Sequence, residues 1–363
     1  MYYQKYRPKN FSEVIGQEIV VKILKNMIKK GEILHGYLFA GERGTGKTTV
    51  ARIFAKTINC LNQKDGEACN DCRICQLWNQ GKFLDIIEMD AASHRRIDDI
   101  RNLQEHIGFK PLQGKYKVFI IDEAHMLTEE AFNALLKTLE EPPPHAIFIL
   151  ATTEPNKIPS TVLSRLQRLD FRRISIPQIV SKLKKILEAE KIDYQEPALY
   201  LIAEESDGSL RDAETLLEKI VLSLNPHNSL TQEYVAEFLG QISLKQTLDF
   251  LNLLFEKKTQ ESLKFVHNVY KNGFDISEFL KILIKTVKEL IFLKVHKDYA
   301  KHLSNEKAKE LIDYMVKISE KVELEELKRL IKLFFEADSL SKKEPPHPLL
   351  PLEIAIIEFI EIK

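Results

Sequence analysis

Four short runs of nearly continuous apolar residues punctuate the first 170 positions. They are Tyr37-Leu38-Phe39-Ala40, Asp85-Ile86-Ile87-Glu88-Met89, Val118-Phe119-Ile120-Ile121 and Ile147-Phe148-Ile149-Leu150. Each is rich in β-formers and lacks polar alternation, which predicts strands buried on both faces of a parallel sheet. Between them the period changes. Phe132, Leu135, Leu136 and Leu139 recur at i, i+3, i+4, i+7, predicting a helix that Thr128 can cap. Pro142-Pro143-Pro144 ends it, because proline lacks the N–H and disfavours helix in the residue before it. Strand alternating with helix over residues 1–170 predicts an α/β layer fold.

Beyond about Phe171 the strand pattern stops and helical spacing takes over. Pro197 suits a first helical turn, and Ser209 with Asp212 reads as a capping box. Farther on, Ser243 with Gln246 and Asp275 with Glu278 resemble helix starts, and Phe279, Ile282, Leu283, Thr286 and Leu290 continue at helical spacing. The end of the chain, Leu349 to Ile362, is apolar. The predicted class is therefore α/β plus all-α: a parallel-sheet domain over 1–172, a small helical domain over 173–240 and a helical domain over 241–363.

A length of 363 residues suits two or three domains. Lys+Arg and Asp+Glu both number 53, so the formal net charge is zero. That excludes coating of nucleic acid by bulk charge; contact with DNA would need a local basic strip or an assembly. No apolar run reaches the roughly 18–20 residues that span a membrane. The opening Met1-Tyr2-Tyr3-Gln4-Lys5-Tyr6-Arg7-Pro8 lacks a secretory apolar core, so a cytoplasmic location is expected. All four cysteines lie between Cys60 and Cys75, which points to metal binding in a reducing compartment rather than to disulfides.

Chemistry enters with Gly41-Glu42-Arg43-Gly44-Thr45-Gly46-Lys47-Thr48, which satisfies G-x-x-x-x-G-K-[ST]. It follows a predicted strand and opens a helical run that begins at Thr49, the context this phosphate loop requires. Glycines let successive N–H groups turn inward onto phosphate oxygens, and the helix N-terminus adds partial positive charge. Lys47 would reach the β- and γ-phosphates of ATP, and the Thr48 hydroxyl would ligate Mg²⁺. The third apolar run ends in Asp122-Glu123. Asp122 would hold Mg²⁺ and Glu123 would polarise the attacking water as general base. Positive charge for the transition state points to Arg165, after the fourth strand and its loop, and Arg211, in the first turn of a later helix. Thr152 and Thr153 end the fourth strand, where a hydroxyl can sense the γ-phosphate.

Cys60-x8-Cys69-x2-Cys72-x2-Cys75 offers four thiolates for a closed tetrahedral Zn²⁺ site, which would fold its loop without catalysing anything. An iron–sulfur cluster and unmetallated thiols are the alternatives; the C-x3-C-P element of the former is absent.

In this order, the phosphate loop, Asp122-Glu123, Ala151-Thr152-Thr153-Glu154-Pro155, Ser164-Arg165 and Gly208-Ser209-Leu210-Arg211-Asp212-Ala213 resemble AAA+ ATPases of the clamp-loader group. The cysteine cluster, Glu88-Met89-Asp90-Ala91-Ala92-Ser93, Leu135-Leu136-Lys137-Thr138-Leu139-Glu140-Glu141-Pro142-Pro143, and Tyr6-Arg7-Pro8 with Phe11, Val14, Ile15, Gly16 and Gln17 narrow the likeness. It is to the gamma/tau subunits of bacterial DNA polymerase III clamp loaders. The resemblance is dense over 1–240 and only helical in character beyond.

It implies an AAA+ domain, a helical lid and a C-terminal oligomerisation domain. Arg7, Val14 and Ile15 would flank adenine, and Gly41 to Thr49 would wrap the phosphates. Thr153 and Arg211 would be the two sensors, and Arg165 a finger acting on a neighbour's ATP. Implied partners are delta- and delta-prime-type subunits in a hetero-pentameric ring, the sliding clamp and primed DNA. One departure stands out: the family usually has Ser-Arg-Cys at the finger, whereas Leu166 follows Arg165 here.

Two other readings compete. Asp122-Glu123-Ala124-His125 spells a helicase box, but such helicases need a second α/β motor, and only helices are predicted after residue 171. A non-enzymatic scaffold is opposed by the intact Lys47, Thr48, Asp122 and Glu123.

Overall fold

The computed structural model describes residues 1–93, 100, 103, 105–225, 229–239, 242, 244–296, 298–303, 309–343 and 345–361. Ser243, read above as a helix start, and the expected boundary at 240 and 241 lie outside the described residues. The chain divides into two compact units. The first is Met1–Ile179 with Ser206–Thr215; the second is Val180–Glu205 with Leu216–Lys363.

The first unit is built on one parallel sheet of five strands: β1 Gly36–Gly41, β2 Ile86–Asp90, β3 Lys117–Asp122, β4 Ala146–Thr152 and β5 Gln167–Phe171. Their order is β2-β3-β4-β1-β5, all neighbours parallel. β4 is thus inserted between β1, which leads into the phosphate loop, and β3, which leads into the two carboxylates. Register sets Ala40 beside Thr152 and Asp90 beside Asp122, so the strand ends that carry chemistry finish side by side.

The apolar runs are continuous because both faces are covered. Leu38, Phe119, Ile121, Phe148 and Leu150 pack on one side against Phe132, Leu135 and Leu139. Tyr37, Phe39, Val118, Ile120, Ile147 and Ile149 pack on the other against Leu24, Ile28, Val50, Phe54 and Ile58. Alternate residues of one strand supply opposite faces. Phe119 and Phe148, cross-strand partners in register, stack at 5.2 Å between centroids, which is worth about 0.5–1.5 kcal/mol beyond burial.

Four helices matter to the site: α1 Tyr2–Lys5, α2 Glu18–Lys30, α3 Lys47–Asn59 and α4 Arg73–Asn79. The helix expected after Thr128 runs Glu129–Glu140, and Thr128 caps it by accepting the Ala131 N–H at 3.3 Å. β5 had no counterpart among the four expected strands. Its burial alternates, with only Leu169 and Phe171 inside, as befits an edge strand pairing on one side with β1.

The second unit is helical among its described residues. Asp275 caps Ile276–Val295 by accepting the N–H groups of Ser277 at 2.7 Å and Glu278 at 3.2 Å. Phe279, Leu283 and Leu290 of that helix share a core with Leu327, Leu330 and Phe334 and with Leu352, Ile356 and Phe359. No described helix is long and apolar enough to cross a membrane.

Candidate nucleotide site

The phosphate loop leaves β1 at Gly41 and enters α3 at Lys47, with Gly44 at φ +75° and Gly46 at φ +102°. A Cβ on Gly44 would collide with the Ser209 hydroxyl, so glycine lets the loop pack against that segment. Gln17, 3% exposed, fixes the loop from beneath: its Nε2 donates to the carbonyls of Thr45 at 3.2 Å and Arg172 at 2.7 Å, and its Oε1 accepts the Arg172 N–H at 3.0 Å.

Lys47 is 5% exposed and donates to the carbonyls of Gly41 and Glu42, both at 2.8 Å. Burial lowers its basicity, and the carboxylates of Glu123, Asp122 and Glu42 oppose that. Thr48 Oγ1 donates to Asp122 Oδ2 at 2.7 Å. Hydroxyl and carboxylate oxygens so joined are the hard donors that Mg²⁺ takes, and the pair fits that ion. Glu123 stands at φ +48°, and its N–H is held by Asp122 Oδ1 at 3.0 Å. Its Oε2 accepts from the Thr153 hydroxyl at 3.3 Å and lies 3.5 Å from His125 Nδ1.

These groups line a cleft that lies wholly in the first unit. Arg43, Gly44, Thr45, Gly46, Lys47, Thr48 and Thr49 form its floor, with Asp122 and Glu123 at one side. Arg7, Val14 and Ile15 also line it. Arg211 joins from the segment Ser206–Thr215, its guanidinium 4.9 Å from the centre of the Tyr3 ring, a cation–π contact. Gly41 and Glu42 take part through their carbonyls; the Glu42 carboxylate lies 3.6 Å from Arg173. Thr153 reaches the site through Glu123.

Arg165 is elsewhere. Its NH2 pairs with Glu140 at 2.6 Å and its NH1 donates to the Thr161 carbonyl at 2.5 Å, and it does not line the cleft. Tyr3, Pro8, Ile174, Leu210 and Glu214 line the cleft without having been singled out as ligands. Gln17 had been noted only within the opening match. Pro8 and Leu210 stood only within runs quoted for the resemblance; nothing local marks Tyr3, Ile174 and Glu214, since their convergence is tertiary.

The thiols of Cys60, Cys69, Cys72 and Cys75 all lie within 4.8 Å of one another. Cys60 directly follows α3, and the N–H groups of Cys69 and Cys72 donate to the sulfurs of Cys60 and Cys69, each at 3.3 Å. Burial pushes the Cys75 thiol up. At Cys72 burial is outweighed by hydrogen bonds from backbone and neighbouring thiols, and it is drawn down to about 6. Four convergent sulfurs fit a closed zinc site.

Sheet order, phosphate loop and paired carboxylates define a P-loop nucleotide-binding protein of the AAA+ class. Family models match along the chain: DNA polymerase III, delta subunit, over residues 16–175; the ATPase lid domain of DNA polymerase III clamp loader subunits over 178–221; and domain III of DNA polymerase III subunits gamma and tau over 230–363. DNA polymerase III subunit tau of Bacillus subtilis is 37% identical over 359 residues, 99% of this chain and 63% of that protein. The gamma/tau subunit of Mycoplasma genitalium is 42% identical over 78% of this chain and 47% of its own length. DNA polymerase III subunit gamma of Buchnera aphidicola subsp. Baizongia pistaciae is 36% identical over 99% of this chain and 96% of its own. The chain belongs to the gamma/tau family of DNA polymerase III subunits. It spans about half to two-thirds of the longer relatives and nearly all of the short one.

Proposed function

We propose that this chain is an ATP-driven motor subunit of a DNA polymerase III clamp loader, acting in the cytoplasm. One observation carries the reading: Lys47, the bonded pair Thr48–Asp122 at 2.7 Å, and Glu123 converge on one cleft. The phosphate tail of ATP rests on the N–H groups of Gly44 to Thr48 and on Lys47. Thr48 and Asp122 hold Mg²⁺, which neutralises phosphate charge when bound. Glu123 takes the proton of the attacking water. Arg7, Val14 and Ile15 enclose the base, and Thr153 and Arg211 sense the γ-phosphate.

Arg165 serves a neighbouring subunit's ATP. Its position outside the chain's own cleft supports that reading. Leu166, where the family has a small cysteine, reaches back under β1: a Cβ on Gly36 would meet its Cδ2 at 2.6 Å. The larger side chain thus has a packing site of its own.

Cys60, Cys69, Cys72 and Cys75 would hold Zn²⁺, and the four bonds would fix the loop between α3 and α4. The working division is a nucleotide-binding domain to 172, a lid over 173–240 and an oligomerisation domain over 241–363. The lid and domain III matches at 178–221 and 230–363 support it. The assembly is a hetero-pentameric ring with delta- and delta-prime-type subunits, which uses ATP binding to open the sliding clamp around primed DNA and hydrolysis to let go.

The test is clamp loading onto primed DNA by the purified chain with its partner subunits, beside calorimetry of ATP and Mg²⁺ binding. Loading that survives Lys47→Ala, or wild-type protein that gives no binding heat, would defeat the proposal.

A further inference from the structure

The segment from Tyr3 to Ile15 makes one wall of the cleft, through Tyr3, Arg7, Pro8, Val14 and Ile15. It has little regular structure of its own: α1 is one turn, and Phe11–Glu13 is a single 3₁₀ turn. Such a segment keeps its place only if something outside it holds its backbone.

The holder is the cysteine loop. Glu67 Oε2 accepts the Phe11 N–H at 3.0 Å, and Glu67 Oε1 accepts the Ser12 N–H at 2.9 Å. One carboxylate thus takes two successive backbone donors, a charge-assisted pairing well above the average hydrogen bond. Lys25 Nζ of α2, 2.9 Å from Oε1, steadies the charge. Glu67 is itself fixed, because its backbone exchanges hydrogen bonds with Lys64 at 2.9 and 3.0 Å. The preceding Gly66, at φ +76°, brings the loop onto the Lys25 backbone, where a Cβ would come within 3.0 Å of the carbonyl oxygen. Asn70, next to Cys69, makes a second tie: its Nδ2 donates to Asn10 Oδ1 at 2.8 Å. Its Oδ1 accepts from the buried ammonium of Lys56 on α3. Neither Glu67 nor Asn70 bonds to a described residue that lines the cleft; their ties to its wall run through residues 10–12.

We propose that Glu67 and Asn70 are positioning residues for nucleotide recognition, holding Asn10–Ser12 so that Arg7, Pro8, Val14 and Ile15 stay against the base and ribose of a bound nucleotide. This rests on the reading of the cleft as a nucleotide site. The phosphate floor is built separately, from β1, α3 and Gln17. Loss of the tie therefore costs binding on the base side and spares the phosphate side, because only the fraction of molecules with the wall in place binds the base.

The experiment compares Mg²⁺-ATP with Mg²⁺-tripolyphosphate, which has the phosphates and no base, by calorimetry on the full chain. Wild type, Glu67→Ala, Glu67→Gln and Asn70→Ala are the proteins compared. Glu67→Ala should weaken ATP by about tenfold and leave tripolyphosphate unchanged. Glu67→Gln, which keeps one acceptor oxygen, should recover part of the loss, and Asn70→Ala should show a smaller loss in the same direction. Unchanged ATP affinity in Glu67→Ala, or equal losses for both ligands, overturns the inference. Wild type that binds neither ligand overturns instead the reading of the cleft on which it rests.

Discussion

The Thr153 hydroxyl donates to Glu123 Oε2 at 3.3 Å, so the residue just past β4 holds the carboxylate just past β3. Glu123 needs holding: at φ +48° it occupies a region that non-glycine residues seldom visit, at a cost of about 1–3 kcal/mol. The two neighbouring carboxylates are thereby bound to different partners. Asp122 is tied to Thr48 and Glu123 to Thr153.

Glu123→Gln should keep ATP binding within a few-fold of wild type and slow hydrolysis by about 10²–10⁴, the usual contribution of a general base. Thr153→Val should slow hydrolysis by roughly tenfold, since it removes a hydrogen bond that orients the base and leaves the base itself. Single-turnover rates in the assembled loader are the measurement. A Glu123→Gln protein as fast as wild type would remove the assignment.

Lys47→Ala should abolish measurable ATP binding. Lys47 is buried with its amine on the loop's own carbonyls, so truncation removes the phosphate partner and leaves those carbonyls without their donor. Thr48→Ala should act through the metal: ATP affinity at low Mg²⁺ should fall further than at saturating Mg²⁺. A Lys47→Ala protein with wild-type affinity would show that the phosphates lie elsewhere.

Arg165→Ala should leave ATP affinity of the isolated chain unchanged, because Arg165 is bonded to Glu140 and Thr161 and is absent from the cleft. In the assembled ring the same change should lower ATPase by about 10³-fold or more. Mixing mutant and wild-type subunits tests the direction: the wild-type neighbour's site should be the one that stalls. A parallel loss of binding in the isolated chain would contradict a role in trans.

The purified protein should be colourless and carry one zinc per chain. Cys75→Ser, at a fully buried ligand, should release the metal and lower the melting temperature. Metal analysis and scanning calorimetry decide between this and an iron–sulfur cluster, which would show as a brown chromophore.

Tyr37 should make the protein sensitive to alkali. It is fully buried at the start of β1, and burial pushes its phenol up to about 12 from 10.0, against the Leu34 N–H donated to it. The folded state thus favours the protonated phenol. Its contribution is complete below pH 10 and is lost as pH rises from 10 through 12, in total roughly 2–3 kcal/mol. Tyr37→Phe should flatten the fall of the denaturant midpoint across that window; an unaltered slope would assign alkaline unfolding to other groups.

Four strands, the phosphate loop, the carboxylate pair and the helix caps at Thr128 and Asp275 were legible because each is a local pattern. β5 was not: Gln167-Arg168-Leu169-Asp170-Phe171 buries two residues of five and lacks a continuous apolar run. Gln17 and Glu67 were also hidden as positioning groups. Gln17 joins the loop to a backbone 155 positions away, and Glu67 joins two segments 55 and 56 positions apart. No window of sequence contains both ends of such a bond. Arg7, Val14 and Ile15 were reached by resemblance, whereas Tyr3, Ile174 and Glu214 needed the chain to be folded.

Helix α3 begins at the phosphate loop with Lys47 and is followed at once by the first thiol, Cys60. Its thirteen residues span about 20 Å. The register between its ends leaves no slack. One inserted residue would rotate Cys60 by about 100° about the helix axis, away from its three companions, with the glycine loop untouched. With ten of its thirteen residues buried, α3 should therefore refuse any change in the number of residues between Lys47 and Cys60.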